Sequence, residues 1–162
     1  MNRKVYIIIM PDKIYFFTMQ QIENEMKAAQ HLLYVSLKYT KTGDVILNLM
    51  HRWKLMIEHA IDLSLEKAKK KKLVKEIPIA PKLKVALMAQ LLKKEAVVTE
   101  TLQLYSFFRR VDALEHFKEH EFRKNVALRV VDDKEIVIDV EKLKEWQALL
   151  ENFIKFIRKY NA

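Results

Sequence analysis

The sequence has no cysteine, one glycine and three prolines in 162 residues. The absence of cysteine excludes a disulfide scaffold. The scarcity of glycine and proline leaves little material for a β-sandwich, a phosphate-cradling loop or a nucleotide-binding strand-turn-helix. Hydrophobic residues make up 51% of the chain, which excludes a disordered protein. We therefore expect a mostly helical protein.

Long apolar runs are also missing. The most apolar stretch near the start, residues 5–10, is followed by Pro11, Asp12 and Lys13, and it is far shorter than the ~18 residues of a membrane-spanning helix. We expect no membrane span, no secretory signal and no membrane partner, and hence a cytoplasmic protein. High lysine and glutamate content with little glycine is typical of a heat-adapted source.

Positive charge is concentrated in one segment. Between Lys67 and Lys84 there are eight lysines and one acidic residue, Glu76, so this segment carries a net +7 of the chain's +9. Such density attracts polyanions through counterion release, but it is also typical of a solvated helix end. Arginine, which binds phosphate with two parallel hydrogen bonds, is absent from the segment. Both interpretations stay open.

Helix signals divide the chain. Thr18 and Gln21 have the spacing of a capping box and predict a first helix that ends near Gly43. Asp44 can cap a second helix, whose apolar stripe runs from Val45 to Leu63. Residues 73–81 are predicted to be a linker because of two prolines, and residues 82–121 contain no helix breaker and predict one or two helices.

The C-terminal part predicts a hairpin followed by a helix. Two β-branched runs, residues 126–131 and 135–139, flank a polar turn, and Asp139 can cap a final helix. We predict one domain, residues 1–162, that is mainly α: an antiparallel four- to five-helix bundle with a small β-hairpin before the C-terminal helix. Residues 1–17 are predicted to be an apolar arm or a strand pair.

Two motifs in residues 109–120 contain residue types that are used in metal binding or catalysis. His116, Glu119 and His120 match the H-x-x-E-H pattern of inverted zinc peptidases, and a zinc site there is the alternative to a solvated helix face. Arg109, Arg110 and His116 combine cations with a group that titrates near neutral pH. By contrast, we expect the methionines, Trp53 and Trp146 to lie in the core, and likewise expect packing roles for three other histidines: His31, His51 and His59.

The chain resembles the HEPN superfamily of small helical bundles. The likeness covers about residues 21–161 and is carried by residues 27–33 of the first helix, residues 53–61 of the second, and residues 138–143 and 153–157 of the last. Active members are metal-independent ribonucleases with an arginine followed four to six residues later by a histidine. Arg110 and His116 have this spacing, although Val111 stands where a polar residue is usual. In a second alignment Arg123, Lys124 and Asn125 match, but Leu128 or Arg129 occupies the position of the histidine.

The resemblance implies a non-catalytic module that binds RNA or a nucleotide as a homodimer and needs no cofactor. It also implies a partner protein of the kind found in toxin–antitoxin or defence systems. One alternative is a metal-independent endoribonuclease that uses Arg110 and His116. Another is a structural protein–protein interaction module. The residues predicted to bind nucleic acid are all basic or amide side chains: Lys69, Lys70, Lys71, Lys72, Lys75, Arg109, Arg110, Arg123, Lys124 and Asn125.

Overall fold

A computed structural model describes the backbone of residues 11–162 and the side chains of residues 19–162. This part of the chain is mainly helical, with five helices and a three-stranded antiparallel sheet. Helix α1 is continuous and has three segments: Pro11–His31, a π-helical turn Leu32–Ser36, and Leu37–Thr40. The remaining elements are α2 (Gly43–Lys70), α3 (Pro81–Leu91), α4 (Ala96–Arg110), a 3-10 turn (Val111–Ala113), β1 (Glu115–Glu119), β2 (Ala127–Val131), β3 (Glu135–Ile138) and α5 (Val140–Tyr160).

Helix α2 is the central element, because α1, α3, α4 and α5 all contact it. Trp53 on α2 is fully buried and packs against Phe108 of α4 and Trp146 of α5, with ring centroids 5.9 and 6.4 Å away. The core role expected for Trp53 is confirmed, and the methionines of α2 are also fully buried: Met50 and Met56. Trp146 is only partly buried.

The start and end of α1 differ from the prediction. Residues 11–17 belong to α1 rather than to an arm or a strand pair, while residues 1–10 lie outside the described residues. Lys41, not Gly43, takes the left-handed conformation that ends the helix, with φ 50°. Gly43 instead begins α2, and Thr42, rather than Asp44, is the N-cap residue.

The sheet has three strands, so the prediction of a simple hairpin is wrong. Two helices do form in this part of the chain, Pro81–Leu91 and Ala96–Arg110, but residues 115–119 form β1 instead of continuing a helix. The register pairs Glu115 with Val131 and Glu119 with Ala127. This long-range pairing overrides the local helical pattern. The predicted β2–β3 pair and the Asp139 cap are confirmed, the latter by a hydrogen bond from the Lys142 amide (2.8 Å).

Residues 71–80 join α2 to α3 without regular secondary structure, at the position of the predicted linker. Within the part of the chain that the structure describes, no helix is long and apolar enough to cross a membrane.

Candidate nucleic-acid interface

The five lysines predicted to bind nucleic acid lie where α2 ends. They are all exposed, on the last turn of α2 and in the linker that follows: Lys69, Lys70, Lys71, Lys72 and Lys75. The Lys71 ammonium lies 5.4 Å from the centroid of the Tyr160 ring. This contact brings the C-terminal ends of α2 and α5 together.

The predicted arginines of α4 lie towards the other end of α2. Phe108 stacks on Trp53, and Asp112, just after α4, contacts His51, so the end of α4 lies beside the first half of α2. At a helical rise of 1.5 Å per residue, the nineteen residue steps from His51 to Lys70 span about 28 Å. Arg109 and Arg110 are therefore separated from the lysines, and the predicted basic residues do not form one compact surface.

Arg123, Lys124 and Asn125 lie in the turn between β1 and β2, and this turn packs on the connection between α1 and α2. The Phe122 amide donates a hydrogen bond to the Lys41 carbonyl (2.7 Å). The Lys118 ammonium lies 2.8 Å from Asp44 Oδ1, and this hydrogen bond raises the pKa of Lys118. We call the surface formed by residues 38–44 and 118–125 the loop end.

The loop end carries two aromatic side chains that are largely exposed. Tyr39 is 77% and Phe122 76% exposed. Basic side chains flank them, and the Lys38 ammonium lies 5.9 Å from the centroid of the Tyr39 ring. The exposed cations nearby in the chain are Lys38, Arg123 and Lys124, with Lys41 partly buried. Exposed rings beside cations are the combination that binds single-stranded nucleic acid, through base stacking and phosphate contacts.

The backbone of the loop end is unusual. Lys41, His120 and Phe122 have φ values of 50°, 53° and 67°, in the left-handed region that glycine favours. Within the described residues, the other non-glycine residue with positive φ is Lys72. Such conformations cost free energy and persist only where surrounding contacts enforce them. They are often found at functional sites.

Arg110 and His116 make separate contacts. The Arg110 guanidinium donates hydrogen bonds to Asp132 (2.7 Å) and Ser106 (3.0 Å), and the first of these lowers the pKa of Asp132. His116 Nδ1 lies 2.9 Å from the Leu114 carbonyl oxygen. Arg110 also lines a groove of about 330 Å³ with Phe107 and Trp146, a groove whose lining does not include His116.

The zinc-site hypothesis required His116, Glu119 and His120 to lie on one helix, and this prediction of a helix is wrong. His116 and Glu119 lie on strand β1, where residues three apart point to opposite faces. Glu119 instead pairs with Arg129 on β2. Among the described residues, no group of three His, Cys, Asp or Glu side chains can hold a metal ion.

A groove between α1 and α2 was missed by the sequence analysis. It has a volume of about 630 Å³ and is lined by three apolar and four polar residues: Ala28, Leu32, Leu55, His31, Asn48, His51 and Arg52. His51 Nε2 lies 2.9 and 3.0 Å from the two carboxylate oxygens of Asp112, and Arg52 pairs with Glu25 (3.2 Å). The packing role expected for His31 is wrong because His31 is exposed. The helical spacing of Asn48, His51 and Leu55 was the available signal.

No family model, curated protein or solved structure matches the chain. Evidence for function therefore comes from the geometry of these surfaces and from the chemistry of their side chains.

Proposed function

We propose that the protein binds single-stranded RNA at the loop end without cleaving it. The observation that carries this proposal is the pair of exposed rings, Tyr39 and Phe122, flanked by cations. A base stacked on an aromatic ring contributes about 1–3 kcal/mol whatever its identity, and a basic surface follows the phosphates. The site is therefore expected to bind RNA with little sequence preference.

The side chains of the β1–β2 turn have complementary roles in this proposal. Within residues 19–162, Arg123 and Lys124 form no ion pair, whereas Lys118 is paired with Asp44. Unpaired cations can contact phosphate without breaking an existing interaction. Asn125 adds an amide that can both donate to and accept from a base edge. Phosphate contacts position the strand, and base contacts provide any selectivity.

The separate contacts of Arg110 and His116 support the proposal that the protein binds RNA without cleaving it. Transfer of a phosphoryl group to the neighbouring 2′-hydroxyl needs a proton-transfer group and a cation at the same phosphate. Arg110 is held by Asp132, and His116 is held by the Leu114 carbonyl. The proposal also includes the HEPN-type antiparallel bundle, the homodimer, the cytoplasmic location and the toxin–antitoxin or defence partner that the sequence resemblance implies.

The test is fluorescence anisotropy of a labelled single-stranded RNA, followed by a denaturing gel of the same samples. The informative variant is Phe122→Gly, because glycine relieves the positive φ while removing the ring. We expect affinity to fall roughly fivefold to a hundredfold, the equivalent of one lost stacking contact. We expect the free energy of unfolding to rise by about 1 kcal/mol, because the cost of the left-handed conformation is removed and the exposed ring adds little packing. A loss of binding by this variant would therefore not reflect unfolding.

A charge variant and a matched control complete the test. Arg123→Glu with Lys124→Glu should abolish binding at moderate salt, while Lys93→Glu with Lys94→Glu, exposed in the α3–α4 turn, should leave it nearly unchanged. Unchanged affinity of Phe122→Gly would refute the stacking site. Shortened RNA on the gel would favour the ribonuclease alternative, and no binding at low salt would favour the protein–protein interaction module.

A further inference from the structure

The lysine-rich segment at the far end of the molecule is not used by the proposed RNA site. We call residues 69–83 the lysine tip; it comprises the end of α2, the linker and the first turn of α3. Six of its lysines are exposed and one exposed acid, Glu76, accompanies them: Lys69, Lys70, Lys71, Lys72, Lys75 and Lys82. A surface of this charge attracts an extended anionic partner.

The lysine tip also exposes three aliphatic side chains. Ile79 is 93%, Leu73 60% and Leu83 58% exposed. Scattered exposed aliphatic residues are common on protein surfaces, but here three occur within eleven residues, among the lysines. These side chains would lose contact with water only if a partner covered them.

The conformation of the segment projects these side chains. The Leu73 amide donates a hydrogen bond to the Ala68 carbonyl (3.0 Å), and Lys72 has a φ of 60°, so the chain leaves α2 directly before Leu73. Pro78 and Pro81 disfavour a helical conformation for the residues before them, so Ile79 lies in a non-helical segment. Lys71 over Tyr160 and Lys84 paired with Asp62 (2.7 Å) fix the two sides of the tip.

The composition of the lysine tip distinguishes its partner from RNA. The loop end combines cations with aromatic rings, an arginine and an asparagine, which suit bases and phosphates. The lysine tip has no aromatic residue and no arginine, and aliphatic side chains cannot stack on bases. Lysines that surround aliphatic side chains suit a surface whose anionic headgroups lie directly above hydrocarbon.

We propose that the lysine tip binds peripherally to an anionic membrane surface. The lysine ammonium groups contact the phosphate groups of the lipids, and Leu73, Ile79 and Leu83 enter the boundary between headgroups and acyl chains. A spanning segment is not needed for this mode of binding. The expectation of no membrane partner assumed that membrane contact needs a spanning segment, so it does not argue against this proposal.

The test is cosedimentation of the full chain with vesicles of phosphatidylcholine alone or mixed with phosphatidylglycerol. We expect binding to the anionic vesicles only, and weakening as salt rises. Ile79→Ser with Leu83→Ser should reduce partitioning about tenfold or more, because the apolar contribution is lost. Lys70→Glu with Lys75→Glu should reduce it similarly. All four residues are exposed, so the fold should persist, as circular dichroism would verify.

The Lys93→Glu, Lys94→Glu variant serves as the charge-matched control and should bind vesicles nearly as the unmodified protein does. Equal binding to neutral and anionic vesicles, or none to either, would overturn the proposal. So would an Ile79→Ser, Leu83→Ser variant that binds like the original, because that result would indicate charge adsorption alone. Displacement of vesicles by short RNA would instead identify the lysine tip as a nucleic-acid surface. The RNA affinity of the tip variants is measured separately, so failure here leaves the loop-end proposal intact.

Discussion

At the scale of single residues, Tyr105 shows how α4 is fixed to α2. Its ring is buried, and its hydroxyl donates a hydrogen bond to Glu58 Oε1 (3.0 Å). Burial, followed by the negative charge of Glu58, raises the pKa of Tyr105 well above its ordinary value. The neutral hydroxyl is thus favoured in the folded state over the unfolded chain.

Tyr105→Phe should lower the free energy of unfolding by about 1 kcal/mol at neutral pH, because it removes this hydrogen bond but retains the ring. A group with a raised folded-state pKa stabilises the protein below its unfolded pKa, and that contribution is lost as pH rises above about 10. The unmodified protein should therefore lose its advantage over Tyr105→Phe in strongly alkaline solution. Urea denaturation at several pH values measures both effects. The exposed Tyr34→Phe is the control, and an equal effect there would contradict the argument.

At the scale of secondary-structure elements, Gly43 decides how closely β1 approaches α2. A Cβ atom at this position would lie 2.5 Å from Lys118 Cγ and 3.1 Å from its Cβ. The side chain of Lys118 lies over the first turn of α2 and pairs there with Asp44. A side chain at residue 43 would displace Lys118 and with it the contact between the two elements.

Gly43→Ala should therefore lower the melting temperature, although alanine favours helix more than glycine does. The same substitution in a Lys118→Ala background should be neutral or stabilising, because the clash is then absent and the helical preference remains. The double-mutant cycle, measured by calorimetry, isolates this coupling. Equal effects of Gly43→Ala in both backgrounds would show that the close approach has no energetic consequence.

Sequence reasoning was reliable where an element is defined by its own residues. The stripe of α2, the Asp139 cap and the β2–β3 pair were recognised in this way. It failed for β1, because residues 115–119 have a pattern that also suits a helix, and only the pairing with β2 selects a strand. The loop end was only half recognised. Arg123 was identified, but the hydrogen bond from Phe122 to Lys41 joins residues about eighty positions apart, and no local pattern indicates it.

At the scale of the whole molecule, positive charge is divided between two ends of the long helix α2. The loop end lies at its first residues and the lysine tip at its last, and the cations at each end are accompanied by different uncharged groups: aromatic rings at one, aliphatic side chains at the other. Net charge alone would attract any polyanion to both ends. In the two proposals, the accompanying side chains determine which partner each end retains.

The salt dependence of RNA binding tests this division. For single-stranded nucleic acid, the logarithm of the binding constant falls with the logarithm of the salt concentration, with a slope of about −0.7 for each phosphate neutralised. Contacts by four cations, Lys38, Lys41, Arg123 and Lys124, therefore predict a slope of about −3. Participation of the six exposed lysines of the lysine tip as well would make the slope steeper, about −7. We expect the smaller value, measured by anisotropy between about 50 mM and about 200 mM salt, and no change when Lys70→Glu and Lys75→Glu are introduced. A steep slope that these substitutions reduce would instead mean that one RNA strand runs along α2 and uses both ends.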